Sequence, residues 1–125
     1  RERIEEIATR AVVEEELRRG FMPVDVSSEN RGYDIESRTL EGELRFIEVK
    51  GRANGAEDVS VSHNEMRYGF NNPDHFYLAI VLVGDDDTVT GPYYVKNPFE
   101  REPGWTETKI SHSVNKLVSK AKKDE

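Results

Sequence analysis

Three charged side chains, Asp34, Glu48 and Lys50, have the types and spacing of a group that could do chemistry. Successive side chains of a strand point to opposite faces, so Glu48 and Lys50 share one face of the apolar run Phe46–Lys50. Charges inside such a strand are costly to desolvate unless they are matched. Carboxylate oxygens are the donors that hard cations prefer, and an ammonium can stabilise negative charge beside them.

Asp34 joins this pair if the chain folds back on itself. The segment Thr39–Gly42 has the composition of a hairpin loop and would bring Tyr33–Ile35 beside Ile47–Val49. Two carboxylates and a lysine would then converge. A purely structural alternative remains open, in which Lys50 only forms an ion pair with Glu48 or Asp34 inside a protein-interaction domain.

A helix is predicted before this hairpin. From Glu2 to Arg19 the apolar residues follow helical spacing, and Gly20 is a stop signal. Extending the row of Ala8 and Val12 by one turn reaches Glu16, so this acid lies in line with the buried stripe. The alternative is that Glu16 and its acidic neighbours are surface residues near the helix end.

The sequence of the second half of the chain predicts a strand–helix–strand unit, followed by further strands and a C-terminal helix. Ser62 to Glu65 fits a capping box that starts a helix running to about Asn71. Phe76–Val83 is apolar on both faces, which predicts a central strand covered by helices. The remaining predictions are a loop at Gly51–Asp58, strands at Val59–Val61, Thr88–Val95 and Trp105–Ile110, and a closing helix containing Val114, Leu117, Val118 and Ala121.

The motif resembles the Asp…Glu-x-Lys signature of the PD-(D/E)XK nuclease superfamily. The longer segments Gly32–Ser37 and Phe46–Arg52, followed by Asn64-Glu65, resemble the protein NO VEIN C-terminal domain family over roughly Ile4 to Val83. That family has no established activity and is grouped with the restriction-endonuclease-like, Mrr-like fold. The resemblance implies an α/β protein with a restriction-endonuclease-like core, in which helices flank a central mixed β-sheet in α-β-β-β-α-β order.

The same resemblance implies a magnesium-dependent endonuclease. Asp34 and Glu48 would hold one Mg²⁺ or Mn²⁺ with the Val49 carbonyl, and Lys50 would lie beside the attacking water. A glutamate of the first helix, Glu16, would approach the metal from the side. The implied substrate contacts are Arg52, Asn64 and His63, while capping alone accounts for Glu65.

The resemblance also implies partners: nucleic acid, with DNA favoured over RNA, and a covalently linked helicase-like ATPase. A homodimer would suit double-strand cleavage. The alternative is a non-catalytic nucleic-acid-binding or protein-interaction module on the same fold, which the net charge of -7 favours.

Composition sets the limits of these interpretations. A chain of 125 residues predicts a single domain, residues 1–125, which the resemblance implies is nuclease-like. Its start at Arg rather than Met predicts excision from a longer protein or a trimmed start. No run is apolar enough for membrane insertion, and the lack of cysteine predicts a cytoplasmic location. The scattered histidines predict no zinc site. Trp105 and Tyr93-Tyr94 are candidates for base stacking, although packing in the core or at a sheet edge is the commoner role.

Overall fold

A computed structural model describes residues 2–124, so Arg1 and Glu125, the ends of the predicted domain, lie outside the described residues. The elements, in chain order, are α1 (Glu2–Arg18), β1 (Val24–Asp25), a 3-10 turn (Ser27–Glu29), β2 (Ile35–Arg38), β3 (Leu44–Ala53), β4 (Asp58–Ser62), α2 (His63–Asn71), β5 (Phe76–Val83), β6 (Val89–Lys96), β7 (Lys109–Ser113) and α3 (Val114–Lys123). In this part of the chain, no helix combines the length and the apolar character needed to cross a bilayer.

A five-stranded mixed sheet forms the centre of the fold, in the order β1-β2-β3-β5-β6. β2 and β3 form the predicted antiparallel hairpin, with Ile35 opposite Ile47. β3 and β5 are parallel and are joined through α2, as expected for strands apolar on both faces. The α/β class and the mixed sheet flanked by helices are thereby confirmed.

Helices cover both faces of this sheet. α1 packs Ala8 and Val12 against Ile35 and Ile47 on one face. On the other face, Met66 of α2 joins a cluster with Phe46 and Phe76, and α3 covers the end of the sheet nearer β6. Glu48 and Lys50 share the parity of Phe46 and therefore point toward α2.

The contact between α1 and β3 is closest at Gly51. A Cβ atom added to Gly51 would lie 2.6 Å from the Ala8 Cβ and 3.1 Å from the Ile4 carbonyl oxygen. Real Cβ atoms do not approach this closely, so only glycine lets the helix lie directly on the strand. The residue that follows the Glu-x-Lys motif therefore sets the distance between α1 and the candidate site.

Three predicted features differ in the structure. β3 continues to Ala53 where a loop was predicted, because its last residues pair with β5 up to Val83. The last strand is Lys109–Ser113 rather than Trp105–Ile110, and it pairs with β4 in a separate two-stranded sheet. Trp105 is consequently in a turn and is fully exposed, so the expected packing of this residue is wrong.

Candidate functional site

Asp34 is held against β3 although it precedes β2 by one residue. Its main-chain N–H donates to the Ile47 carbonyl at 2.9 Å, and its Oδ2 accepts a hydrogen bond from the Val49 N–H at 3.0 Å. The Asp34 carboxylate thus accepts the Val49 N–H, which a main-chain carbonyl would accept if β2 began earlier. The N–H and C=O of one strand residue face the same side, so the Val49 carbonyl faces this edge too.

Glu48 and Lys50 lie beside Asp34 on the face toward α2. The Lys50 Nζ is 3.2 Å from Glu48 Oε2 and 2.9 Å from Glu65 Oε1. Glu65 Oε1 also accepts the Ser62 N–H at 2.9 Å, which completes the predicted capping box of α2. The hairpin and α2 therefore bring three carboxylates and one ammonium together.

The two acids of the predicted motif are destabilised as anions. Burial raises the pKa of Glu48 well above its usual value, and the neighbouring charge of Asp34 raises it further. Burial also raises the pKa of Asp34, although the Val49 N–H and hydrogen bonding with Glu48 offset part of the effect. Two adjacent carboxylates with raised pKa values form a site that a cation would stabilise.

Lys50 and Glu65 are instead both stabilised as ions. Burial lowers the pKa of Lys50, but the charges of Glu48 and Glu65 outweigh it, and the pKa is raised overall. Burial raises the pKa of Glu65, but the Lys50 charge and the Ser62 N–H outweigh it, and the pKa is lowered overall. With every acid ionised, the four side chains carry two uncompensated negative charges.

These donors fit a divalent cation of the Mg²⁺ type. Mg²⁺ keeps several water ligands and commonly takes only one or two protein carboxylates together with substrate phosphates. Asp34 and Glu48 supply the carboxylates, and the Val49 carbonyl faces the same edge. Within residues 2–124, no group of three or more His, Cys, Asp or Glu is arranged to hold a metal ion.

Two clefts meet at the acidic pair. The main cleft has a volume of about 780 Å³ and the side cleft about 190 Å³. Ser27, Asp34 and Glu48 line both clefts. The other residues that line the main cleft include Ile4, Glu5 and Thr9 of α1 and Lys50, Arg52 and Ser60. Those of the side cleft include Asn30, Gly32, Ser62, Asn64 and Glu65.

The wall formed by α1 was missed by the sequence prediction. Glu5 and Thr9 are polar positions between the apolar residues of α1, so the hydrophobic pattern does not select them, and both line the main cleft. Gly51 was the available signal, because a glycine directly after the Glu-x-Lys motif permits a helix to lie on the strand. Ser27 follows β1 and carried no signal beyond its loop composition.

The expected role of Glu16 at the metal is corrected by its contacts. Its carboxylate is fully buried and accepts hydrogen bonds from Arg45 Nε at 2.8 Å and Arg45 Nη2 at 3.0 Å. The Tyr94 hydroxyl donates to Glu16 Oε2 at 2.8 Å. Arg45 points away from the face of β3 that carries Glu48, because their positions differ in parity. Glu16 is therefore held in a structural ion pair on the opposite side of the sheet.

The predicted substrate contacts separate into two groups. Arg52 is exposed and lines the main cleft, where it donates to the Asp58 carbonyl. Asn64 is exposed and lines the side cleft, and its Oδ1 accepts from Arg67 at 3.1 Å. His63 is not brought to either cleft, since its Nδ1 donates to the Glu107 carbonyl at 2.8 Å.

Comparison with known proteins gives a family but no characterised relative. A search of curated proteins returned no significant match, and a search of solved structures returned none either. The sequence model of the family described as Protein NO VEIN, C-terminal matches residues 4–95, from α1 almost to the end of β6. This match covers more than half of the chain, and the chain therefore belongs to the Protein NO VEIN, C-terminal family.

Proposed function

We propose that this chain is a metal-dependent nuclease domain of the PD-(D/E)XK type, which hydrolyses phosphodiester bonds of a nucleic acid. The observation that carries the proposal is the convergence of Asp34, Glu48 and Lys50 at the junction of two clefts. Glu48 is buried and Asp34 is half-buried, and both acids have raised pKa values. Ionisable residues perturbed in this way and located in a cleft are typical of functional sites.

The roles of the residues follow from their chemistry. Asp34 and Glu48 would hold one Mg²⁺ or Mn²⁺, with the Val49 carbonyl as a third protein donor. When bound, the cation lowers the pKa of water and neutralises charge that develops on phosphate oxygens. The Lys50 ammonium would stabilise an attacking hydroxide and the negative charge of the phosphate. Glu65 keeps this ammonium beside Glu48 through its contact of 2.9 Å.

The wider setting is part of the same proposal. We favour DNA over RNA as the substrate, and a linked helicase-like ATPase is the partner that the family resemblance implies. Cleavage of both strands of a duplex would take two copies of the domain. The lack of cysteine in the sequence is consistent with a reducing compartment such as the cytoplasm.

A second candidate is a non-catalytic module that binds nucleic acid or a protein for a linked domain. Two observations favour it: the net charge of -7, and the pairing of Lys50 with two carboxylates. A net negative charge repels the phosphates of a nucleic acid. The same fold can carry either function, so the site must decide between them.

Calorimetry with MgCl₂ and a cleavage assay on single- and double-stranded DNA and RNA test the two candidates together. We expect Asp34→Asn and Glu48→Gln to weaken Mg²⁺ binding and to slow cleavage about 100-fold or more. Lys50→Met should bind Mg²⁺ but not cleave. The control is Glu14→Gln, which changes an exposed acid of α1.

The nuclease and the non-catalytic module predict different results in these assays. Cleavage by Glu48→Gln at the native rate would overturn the nuclease proposal. Binding of oligonucleotides without cleavage at any divalent ion concentration would favour the non-catalytic module instead.

A further inference from the structure

Trp105 is the single tryptophan of the chain and has a relative accessibility of 102%. Both faces of the indole are therefore open to solvent. A tryptophan is normally largely buried, because its ring removes a large apolar area from water when it packs. An uncovered indole needs an explanation, and the proposed function above does not use it.

The turn that carries Trp105 is held by several hydrogen bonds. The Glu107 N–H donates to the Gly104 carbonyl at 3.1 Å, and the Gly104 N–H donates to Glu107 Oε1 at 2.7 Å. Arg101 binds both oxygens of the Glu107 carboxylate, at 2.7 Å and 3.1 Å. The turn thus presents the indole on a fixed backbone, which lowers the entropy that binding would cost.

The same turn is attached to the start of α2. The Glu107 carbonyl accepts from His63 Nδ1 at 2.8 Å, and the Thr108 carbonyl accepts from the His63 N–H at 2.9 Å. The next residue, Asn64, lines the side cleft together with Asp34 and Glu48. Trp105 precedes Glu107 by two residues, a separation of at most about 7 Å along the chain. The backbone that carries the indole is therefore attached to the end of α2 that borders the acidic site.

We infer that Trp105 is a stacking platform for a nucleobase of the strand whose backbone occupies the clefts. This inference rests on the proposed function and specifies its substrate. A net charge of -7 repels phosphates away from the cation site, so a contact that does not depend on charge would add affinity that lysines and arginines supply in basic proteins. An indole stacks on any base whose face is accessible, and a base within a duplex has both faces covered. The substrate class is accordingly single-stranded nucleic acid, or a duplex with unpaired bases near the cleaved bond.

Because Trp105 is the only tryptophan, its fluorescence reports on its own environment. The experiment titrates the complete chain with oligothymidylate and, separately, with a duplex of the same length. Ca²⁺ replaces Mg²⁺, since it accepts the same kinds of oxygen ligand with looser geometry, and electrophoresis verifies that the strands stay intact. We expect oligothymidylate to quench the fluorescence strongly and the blunt duplex to quench it weakly.

Variants then test whether the contact contributes affinity. Fluorescence anisotropy of a labelled oligothymidylate should show that Trp105→Ala weakens binding roughly 5- to 150-fold, the range for loss of one stacked base, while Trp105→Phe retains most of the affinity. Leu40→Ala is the matched control, because Leu40 is also an exposed apolar residue, 75% accessible, on the loop between β2 and β3. The thermal unfolding of all three variants should match that of the native chain, since neither side chain is packed.

The results distinguish this inference from the proposed function. Native affinity in Trp105→Ala, unchanged fluorescence on binding, or equal quenching by the blunt duplex would each overturn the stacking platform, even if the chain cleaves DNA. Quenching and a Trp105-dependent affinity without any cleavage in Mg²⁺ would support the platform and overturn the nuclease.

Discussion

The Lys50 ammonium and the Glu65 carboxylate lie 2.9 Å apart, although the first is on β3 and the second is in the first turn of α2. Glu65 Oε1 also accepts the N–H of Ser62, and the Glu65 N–H donates to the Ser62 hydroxyl at 3.1 Å. One carboxylate therefore both caps a helix and fixes the lysine of the candidate site. These two roles can be separated by substitution.

Glu65→Ala and Glu65→Gln should differ in stability, but both should remove the ion pair between Glu65 and Lys50. Alanine removes both the capping contact and the ion pair, and we expect it to lower the free energy of unfolding by about 1 kcal/mol. Glutamine can still accept the Ser62 N–H and should cost less. Urea denaturation measures the difference, and cleavage should fall in both variants because Lys50 loses one of its two charged partners and keeps only Glu48. Equal stability losses would show that the cap contributes nothing.

Glu48→Gln should stabilise the metal-free protein while removing its proposed function. Burial, and after it the charge of Asp34, raises the pKa of Glu48, so a neutral amide at this position relieves a desolvation cost and a repulsion. We expect the free energy of unfolding at neutral pH to rise by about 0.5 to 2 kcal/mol, the common range for a single stabilising substitution. Urea denaturation without divalent ions gives the value, with Glu14→Gln as the control for a surface acid.

Saturating Mg²⁺ should reverse this order. A cation that binds the folded native chain stabilises it by mass action, whereas Glu48→Gln has lost one of the ligands. If, without metal, the Glu48→Gln variant is less stable than the native chain, the proposed repulsion between Glu48 and Asp34 is contradicted.

The advantage of Glu48→Gln should depend on pH. The pKa of Glu48 in the folded chain is well above its usual 4.5, so the folded chain binds this proton more tightly than the unfolded chain does. The corresponding stability is fully present below pH 4.5 and is lost as the pH rises through the folded pKa. The variant should therefore match the native chain near pH 4.5 and exceed it increasingly toward neutral pH. A difference independent of pH would disprove the shift.

The pair of Glu16 and Arg45 should behave as a structural ion pair. Both side chains are buried, and removal of one partner leaves the other charge uncompensated, which costs about 3 to 5 kcal/mol. We expect Glu16→Gln and Arg45→Met each to destabilise strongly by urea denaturation, and the double variant to recover part of the loss. Calorimetry on the folded Glu16→Gln protein should give native Mg²⁺ affinity. A large loss of Mg²⁺ affinity would instead show that Glu16 contributes to the metal site.

Gly51→Ala should push α1 away from β3. The new methyl group would overlap the Ala8 Cβ, and overpacking of this kind costs about 1 to 3 kcal/mol. Adding Ala8→Gly removes the overlap, so the double variant should lose less than the sum of the two single losses in a double-mutant cycle. Strict additivity would show that the two positions do not interact.

Much of this architecture could be predicted because local and long-range signals agree. The apolar run Phe76–Val83 has the composition of a strand covered on both faces, and it is the neighbour of β3 in the sheet. The capping box at Ser62 and Glu65 fixes the start of α2 within a few residues. The hairpin loop then determines which residues of β2 and β3 face one another, and this brings Asp34 to Glu48.

The errors arise where a partner distant in sequence decides the outcome. β3 extends to Ala53 because β5 provides hydrogen bonds, although Gly51 and Arg52 are poor strand residues. Glu16 lies in the apolar stripe of α1, and its alignment was correctly predicted. Its structural role depends on Arg45, which lies on the face of β3 that does not carry Glu48. Nothing in the sequence indicated that Arg45 would contact Glu16. Periodicity can identify a buried acid, but it cannot identify the partner that neutralises it.

The double role of Glu65 also affects how related sequences should be compared. Because this acid caps a helix, a relative that has lost all hydrolytic activity would still be under selection to keep it. Burial raises the pKa of Asp34 and of Glu48, so their charged forms are costly without a cation, and we expect an inactive lineage to be under less selection to keep both acids. Retention of the acidic pair across descendants, rather than retention of the glutamate on α2, would therefore be the evolutionary record of a working catalyst.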